Sequence, residues 1–134
     1  MNAQDSPAAL DPELVRSFVG NAHGDLDAVR GALSSQPALA NSAWDWGGGD
    51  WETGLGAAAH MGRRDIAELL LAHDARLDVF AAAMLGELDV VRAILDARPE
   101  TRDASGPHGI PLRAHAEAGG EQARGVLELL DSNG

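Results

Sequence analysis

Residues 50–78 read DWETGLGAAAHMGRRDIAELLLAHDARLD, and they predict two consecutive helices joined by a tight turn. The first helix is short, is rich in small residues and ends at Gly62. Glycine suits this position because it adopts the left-handed conformation without a Cβ penalty. Asp65 follows in the first turn of the second helix, where its charge favours the helix dipole. The second helix is amphipathic, with an apolar stripe formed by Ile66, Leu69, Leu70 and Leu71.

The composition predicts one globular domain. The chain has 134 residues, of which 45% are hydrophobic, and it has no cysteine. We expect a flexible tail over residues 1–10 and a single domain over residues 11–134. No stretch approaches the roughly 18 apolar residues of a membrane helix, and the acidic N-terminus does not resemble a signal peptide. A cytoplasmic protein without a membrane partner is therefore expected.

The net charge of −11 bears on the choice of partner. An acidic surface repels phosphate backbones, so nucleic-acid binding is disfavoured. The same surface attracts cationic partners and promotes solubility.

Three further helix pairs are indicated on either side of residues 50–78. Asp11 and Pro12 form a helix start that leads into a helix ending at Gly24, and a second helix covers residues 25–33. Residues 79–86 and 88–97 form the third pair. The last pair begins near Ile110, after a loop with the turn sequence Ser105-Gly106-Pro107, and ends with an apolar stripe formed by Val126, Leu127, Leu129 and Leu130.

Residues 41–52, NSAWDWGGGDWE, interrupt the helical pattern, and we call them the Trp finger. Trp44 and Trp46 precede Gly47-Gly48-Gly49, and Trp51 follows it. The glycines can adopt positive φ in a tight turn, and aromatic pairing across the strands would stiffen a hairpin. We therefore predict a long β-hairpin here.

The motif of residues 53–75 resembles an ankyrin repeat. Its order of Thr, Leu, Ala-Ala, Gly, Asp-Ile, Leu-Leu-Leu and Ala matches the family pattern at Thr53, Leu55, Ala58, Ala59, Gly62, Asp65, Ile66, Leu69, Leu70, Leu71 and Ala75. Gly54 and Gly56 depart from the family's T-P-L-H-x-A opening. The resemblance implies an all-α ankyrin-repeat solenoid of about four helix–turn–helix repeats with one long Trp-rich β-hairpin finger. The implied repeats cover residues 11–40, 41–78, 79–100 and 101–131.

The resemblance also implies a binding face. Ankyrin proteins bind through a concave groove built from finger tips and from the two residues before each repeat glycine. In this chain the implied binding residues are Trp44, Trp46, Trp51, His23, Met61, Met84, Leu85 and His108. Simpler interpretations stay open, since the tryptophans can clamp a hairpin, His23 and His60 can cap helix C-termini, and methionines can fill a core.

His60 is the strongest candidate for catalysis. A histidine beside a carboxylate can act as a general acid or base near neutral pH, and the candidate carboxylates are Asp45, Asp50 and Glu52. A three-ligand metal set of His60, Asp50 and His108 has no supporting motif such as HxxxH. We therefore assign no metal and no cofactor from the sequence.

Two function classes follow from these observations. The first is an ankyrin-repeat binding module that engages a protein segment or a small-molecule ligand through the groove and the Trp finger. The alternative is a small enzyme that uses the groove as a pocket for acid/base chemistry, such as isomerisation, cyclisation or water addition on a small apolar substrate. A homodimer contact through exposed tryptophans also stays open.

Overall fold

A computed structural model describes residues 7–132 of the chain. Within this range the protein is mostly helical, with one two-stranded antiparallel hairpin. The elements are α1 (Pro12–Asn21), α2 (Leu26–Ser35), β1 (Ala43–Asp45), β2 (Trp51–Thr53), α3 (Gly54–His60), α4 (Arg64–Ala72), α5 (Val79–Leu85), α6 (Leu88–Ala97), α7 (Leu112–Ala118) and α8 (Arg124–Asp131). No helix in this range has the length and apolar character needed to cross a bilayer.

The helices form two layers. In one layer α1, α3, α5 and α7 pack side by side in chain order, and each of them pairs with the helix that follows it. The second layer contains α2, α4, α6 and α8. Close packing in the first layer is achieved by small residues, since Ala57–Ala59 of α3 and Ala81–Ala83 of α5 are fully buried.

The buried apolar side chains fall into two clusters that meet at α5. The first cluster joins α1 to α5, and its largest members include Phe18, Leu55, Ile66 and Leu70. The second joins α5 to α8 around Ala82, Val91, Leu112 and Val126. Met84 belongs to the first cluster and is fully buried, so its side chain fills the core and does not line a binding face.

Arginine side chains connect successive helix pairs by binding the free carbonyl groups at helix ends. Arg63 donates to the carbonyl oxygen of Gly24, Arg64 to that of Leu85, and Arg102 to that of Leu130. Leu85 and Leu130 lie at helix ends, where the last carbonyl groups have no partner within the helix, and Gly24 lies in the turn after α1. These long-range hydrogen bonds satisfy the three carbonyl groups and link the pairs.

Several predicted boundaries differ from the observed ones. Helix α1 ends at Asn21 and not at Gly24, because the backbone turns at Ala22 and the His23 side chain binds the carbonyl groups of the last turn. The strands of the hairpin have only three residues each. The residues before α8 form a 3-10 turn, Gly120–Ala123.

Other predictions are confirmed. Asp11 caps the start of α1, since its side chain accepts a hydrogen bond from the Glu13 amide. Gly62 is left-handed, with a φ of 68°. Helix α6 spans Leu88–Ala97. Residues 1–6 of the predicted flexible tail lie outside the described residues, as do residues 133–134.

Gly86 has two reasons to be glycine. Its φ is 78°, and a Cβ there would collide with the carbonyl oxygen of Gln122. Gly120 has a similar φ of 64°, but open space surrounds the Cβ position. We expect Gly86→Ala to lower the free energy of unfolding by about 2 kcal/mol or more, and Gly120→Ala by about 1 kcal/mol, because only the first adds a steric clash to the backbone strain. Chemical denaturation of both variants measures the difference, and equal losses would contradict the clash.

His115 makes the stability of the protein depend on pH. Burial lowers its pKa, because its ring lies in the interior and its Nε2 atom has no hydrogen-bond partner among the described residues. Below about pH 6.5 the unfolded chain therefore binds a proton that the folded chain resists. Above that pH the titration of His115 does not reduce the free energy of unfolding. As the pH drops further, this titration lowers the free energy of unfolding by at most about 1.4 kcal/mol per pH unit.

The titration of His115 can be isolated with His115→Gln, which keeps a polar donor but does not titrate. We expect the free energy of unfolding of the variant to fall less steeply than that of the wild type between pH 7 and pH 5. Urea denaturation at several pH values measures both slopes. Parallel slopes would show that His115 does not titrate differently in the folded and unfolded chains.

Candidate functional site: a histidine–glutamate cluster

Four residues from separate parts of the chain meet in one cluster. His23 follows α1, Glu52 is the central residue of β2, His60 is the last residue of α3, and His108 lies in a 3-10 turn before α7. One ligand atom from each lies within 4.8 Å of the other three. We call these residues the histidine–glutamate cluster. Helix ends and the short hairpin therefore deliver all four side chains.

Glu52 is the centre of the cluster. It is only 1% exposed, and its Oε1 atom accepts a hydrogen bond of 2.8 Å from the indole Nε1–H of Trp46. The same oxygen lies 3.2 Å from Nε2 of His23. Its Oε2 atom lies 2.9 Å from Nε2 of His60 and 3.2 Å from Nε2 of His108. The Nε2 atoms of all three imidazoles thus face one buried carboxylate.

The other ring nitrogen of His23 fixes its tautomer. Nδ1 lies 3.1 Å from the carbonyl oxygen of Val19 and 3.0 Å from that of Gly20. Carbonyl oxygens only accept, so Nδ1 must carry the hydrogen. A neutral imidazole has a single N–H, and its Nε2 lone pair then points at the Glu52 carboxylate. This contact is favourable only when a cation, either a proton or a metal ion, lies between the two atoms.

His108 has the same arrangement. Its Nδ1 atom lies 2.7 Å from Oδ2 of Asp50, and its Nε2 atom faces Glu52. Two of the three imidazoles therefore have acceptors at both nitrogens. A carboxylate at the outer nitrogen and a cation at the inner one is the arrangement that metal-binding histidines commonly show.

The pKa values reflect these contacts. Burial lowers the pKa of His108, but the hydrogen bond to Asp50 and the charges of Glu52 and Asp50 outweigh it and raise the pKa above its ordinary value. The pKa of His60 is lowered, chiefly by burial, and the neighbouring His23 and His108 rings add to the effect against the attraction of Glu52. The ring centroids of His23 and His108 lie 5.0 and 5.3 Å from that of His60. Such close imidazoles repel one another when they are all protonated, so protons alone satisfy this cluster poorly.

The backbone at His108 is strained. Its φ of 61° places a non-glycine residue in the left-handed region, and among residues 7–132 only Asp74 shares this feature. Asp50 holds the conformation, because its Oδ1 atom accepts from the His108 amide at 2.8 Å while Oδ2 faces the ring. Such strain is concentrated at functional sites.

The sequence-predicted residues separate into two groups. His23, Glu52, His60 and His108 come together, and Asp50 and Trp46 contact them. Asp45 ends β1, and its carboxylate accepts from the amides of Gly47 and Gly49 in the hairpin turn. The other predicted residues also lie outside the cluster, with Trp44 and Leu85 packed against the core, Met84 buried in it, and Trp51 and Met61 exposed.

Sequence reasoning named every member of the cluster and assigned the histidines to one implied groove, but it did not predict that all three meet at Glu52. The sequence assigned His60 and Glu52 to catalysis and His23 and His108 to binding, and the metal set that it suggested lacked His23 and Glu52. The one available signal was the position of His23 and His60 just before the glycines at 24 and 62, which predicts equivalent places on neighbouring helix pairs.

The described cavities are not lined by the cluster. Four cavities of about 230 to 380 Å³ are described, and no member of the histidine–glutamate cluster lines any of these four.

Comparison with protein-family models, curated proteins and solved structures gives no match to this chain. Function is therefore argued from the geometry of the cluster.

Asp50 controls the titration of His108. We expect Asp50→Asn to lower the pKa of His108, because the variant removes the negative charge that favours the imidazolium while keeping the shape of the side chain. Proton NMR of the histidine ring signals in metal-free protein measures this pKa. Asp45→Asn is the matched control, since Asp45 binds only the hairpin turn, and the pKa of His108 should not change in it. A shift of equal size in both variants would contradict a specific role for Asp50.

Proposed function

We propose that this protein is an ankyrin-type repeat domain that binds one divalent transition-metal ion through His23, Glu52, His60 and His108. The convergence of four ligand atoms within 4.8 Å carries the proposal. The ankyrin-type assignment is supported by the motif of residues 53–75 and by four helix pairs whose first helices pack in chain order. The two short strands before α3 correspond to the finger of such a repeat.

The spacing of the ligand atoms suits a small metal ion. Zinc binds histidine nitrogen and carboxylate oxygen at about 2.0–2.2 Å, so two ligands of a tetrahedral site lie roughly 3.3 Å apart. Oε2 of Glu52 lies 2.9 and 3.2 Å from the Nε2 atoms of His60 and His108, and Nε2 of His23 lies 3.2 Å from the other oxygen, Oε1. Small shifts of the side chains would accommodate the ion.

The outer contacts support the same proposal. The Nδ1 atom of His23 lies against backbone carbonyl oxygens, and that of His108 lies against a carboxylate oxygen. The Nε2 lone pairs of both rings are therefore directed into the cluster. A bound dication would also offset the buried charge of Glu52, which is otherwise costly to keep away from water.

The donor set narrows the choice of metal. Three imidazole nitrogens and one carboxylate suit Zn²⁺, Co²⁺, Ni²⁺ or Cu²⁺, whereas Ca²⁺ and Mg²⁺ prefer sites composed of oxygen. The chain has no cysteine, so thiolate ligands are excluded. We therefore expect binding of zinc and its neighbours in the first transition series but not of calcium.

An acid/base enzyme is the second candidate. The 2.9 Å contact between His60 and Glu52, together with the lowered pKa of His60, favours this reading. Against it, an organic substrate usually needs a cavity of several hundred Å³, and none of the four described cavities is lined by a residue of the cluster. A metal ion needs only the space between its ligands. A protein segment as partner, recognised by exposed Trp51 and Met61, would be an additional role on the same scaffold.

Calorimetric titration of metal-free protein with ZnCl₂ and with CaCl₂ tests the proposal. We expect one equivalent of zinc to bind and to raise the melting temperature, because a ligand that binds only the folded state stabilises it. Calcium should give no comparable heat. Absence of zinc binding at neutral pH would refute the proposal and leave the acid/base candidate.

His60→Ala tests the assigned ligands. We expect it to weaken zinc binding by about 100-fold or more, since removing a ligand costs at least as much as removing its outer partner. His73→Ala is the matched control, because the His73 side chain is exposed on the far layer and binds only the carbonyl oxygen of Leu69. Equal affinities of the two variants would place the metal elsewhere.

A further inference from the structure

An apolar groove of about 280 Å³ lies between the start of α1 and the hairpin. We call it the α1–hairpin groove. Six apolar residues line it, three from around the start of α1 and three from the hairpin: Leu10, Pro12, Val15, Ala43, Trp44 and Trp51. Asp45 also lines it. No member of the histidine–glutamate cluster belongs to this set, so the groove is a separate surface.

Trp51 is the exposed wall of the groove. Of the three tryptophans, Trp44 packs against the core and Trp46 donates to Glu52. Trp51 is instead 61% exposed. Neighbouring residues of a strand point to opposite faces, so Trp51 is directed away from Glu52. A partner that covers this ring would gain a large apolar contact, which is why tryptophan often anchors interfaces.

The size of the groove suits a single side chain. Sites for drug-sized ligands usually measure roughly 300–1,000 Å³ and enclose most of the ligand. This groove is smaller, and Pro12 and Trp51 on its walls are exposed. One apolar side chain of a peptide would fill it, while the remainder of the peptide extends over the surrounding surface.

The surface around the groove is acidic. Asp45 lines it, and the exposed Asp11 and Glu13 adjoin lining residues in the sequence. The one arginine of this stretch, Arg16, has its Nη1 atom 3.7 Å from Oε2 of Glu13. The carboxylates therefore outnumber the cation, and they attract positive charge to the rim of the groove. The open face of the Trp51 ring also favours a cation.

The same charge disfavours other occupants. A second copy of the chain would bring its own net charge of −11 to the contact, so the two copies would repel one another. Nucleic acid and anionic lipid surfaces are repelled for the same reason. A positively charged polypeptide is attracted, and its main chain can carry the apolar side chain that the groove accepts.

We propose that the α1–hairpin groove docks a basic peptide segment of a partner protein. The segment inserts one large apolar side chain beside Trp51 and places an arginine or lysine close to Glu13 and Asp45. This interaction is independent of the proposed metal site, because the two surfaces share no residue.

Synthetic peptides test the proposal, with NMR of the isotope-labelled full chain as the measurement. The probe is a short peptide with a central phenylalanine flanked on each side by a pair of arginines. One control peptide replaces the arginines with glutamates, and another replaces the phenylalanine with serine. We expect the probe alone to shift the Trp51 indole signal in a saturable way, and its affinity to fall as salt is added.

Three results would overturn the proposal. The probe could fail to shift the Trp51 signal, which would show that the groove does not take such a segment. A control peptide could bind as well as the probe, which would remove the need for positive charge or for the apolar side chain. The Trp51 signal could shift with the concentration of the protein alone, which would show a second copy of the chain in the groove.

Trp51→Ala tests the anchor. We expect the affinity for the probe to fall about tenfold or more, as for truncation of a central aromatic residue at an interface. Leu77→Ala is the matched control, because Leu77 is also exposed but does not line this groove. Unchanged ring signals of His108, which contacts Asp50 next to Trp51, would show that the hairpin of the variant is folded. Equal affinities of the two variants would contradict the role of Trp51.

Glu13→Gln tests the charge without touching the hairpin. We expect it to weaken binding of the probe about two- to fivefold at low salt, the range of an exposed charge pair. Asp89→Asn is the matched control, because Glu13 and Asp89 both lie in the first turn of a helix and near an arginine three residues on. Both variants change the net charge equally. An equal effect of the two would show that only the overall charge matters and would overturn the assigned contact.

Discussion

The burial of the Glu52 carboxylate is the constraint on which the rest of the site depends. A carboxylate removed from water loses several kcal/mol of hydration unless donors or cations replace it. In this protein Trp46 supplies one donor, and three imidazoles direct their Nε2 atoms at the same group. Each imidazole belongs to a different segment, so satisfying one charge requires the hairpin, α1, α3 and the loop before α7 to hold their relative positions.

The fold provides this rigidity with very short elements. The strands have three residues each, and α3 has seven, yet the small side chains of α3 and α5 let the helices pack closely. Asp50 adds a direct link between the hairpin and the loop of His108 through two hydrogen bonds. Local propensity alone would not hold such short elements in place, and tertiary contacts stabilise them.

The sequence predicted the helices better than the site. The start of α1 at Asp11-Pro12 and the left-handed turn at Gly62 follow from local rules that depend on a few neighbouring residues. The sequence also predicted a hairpin around Gly47-Gly48-Gly49 but overestimated its length, because pairing depends on the residues packed beneath it. The meeting of His23 and His108 with Glu52 depends on the spacing of helix pairs distant in the chain. No local pattern contains that spacing, and so His108 could be named as a candidate but not placed.

The division of the core into two clusters has a consequence for the kinetics of the site. His23, Glu52 and His60 lie on elements of the first cluster, whereas His108 precedes α7, whose Leu112 belongs to the second. Proteins open in cooperative parts as well as globally, and separate clusters are natural units of such opening. If α6 to α8 open as one unit, the cluster loses His108 while the other three residues stay in place. The residence time of a bound ion would then follow the lifetime of the C-terminal half of the fold, and hydrogen exchange in α7 would report it.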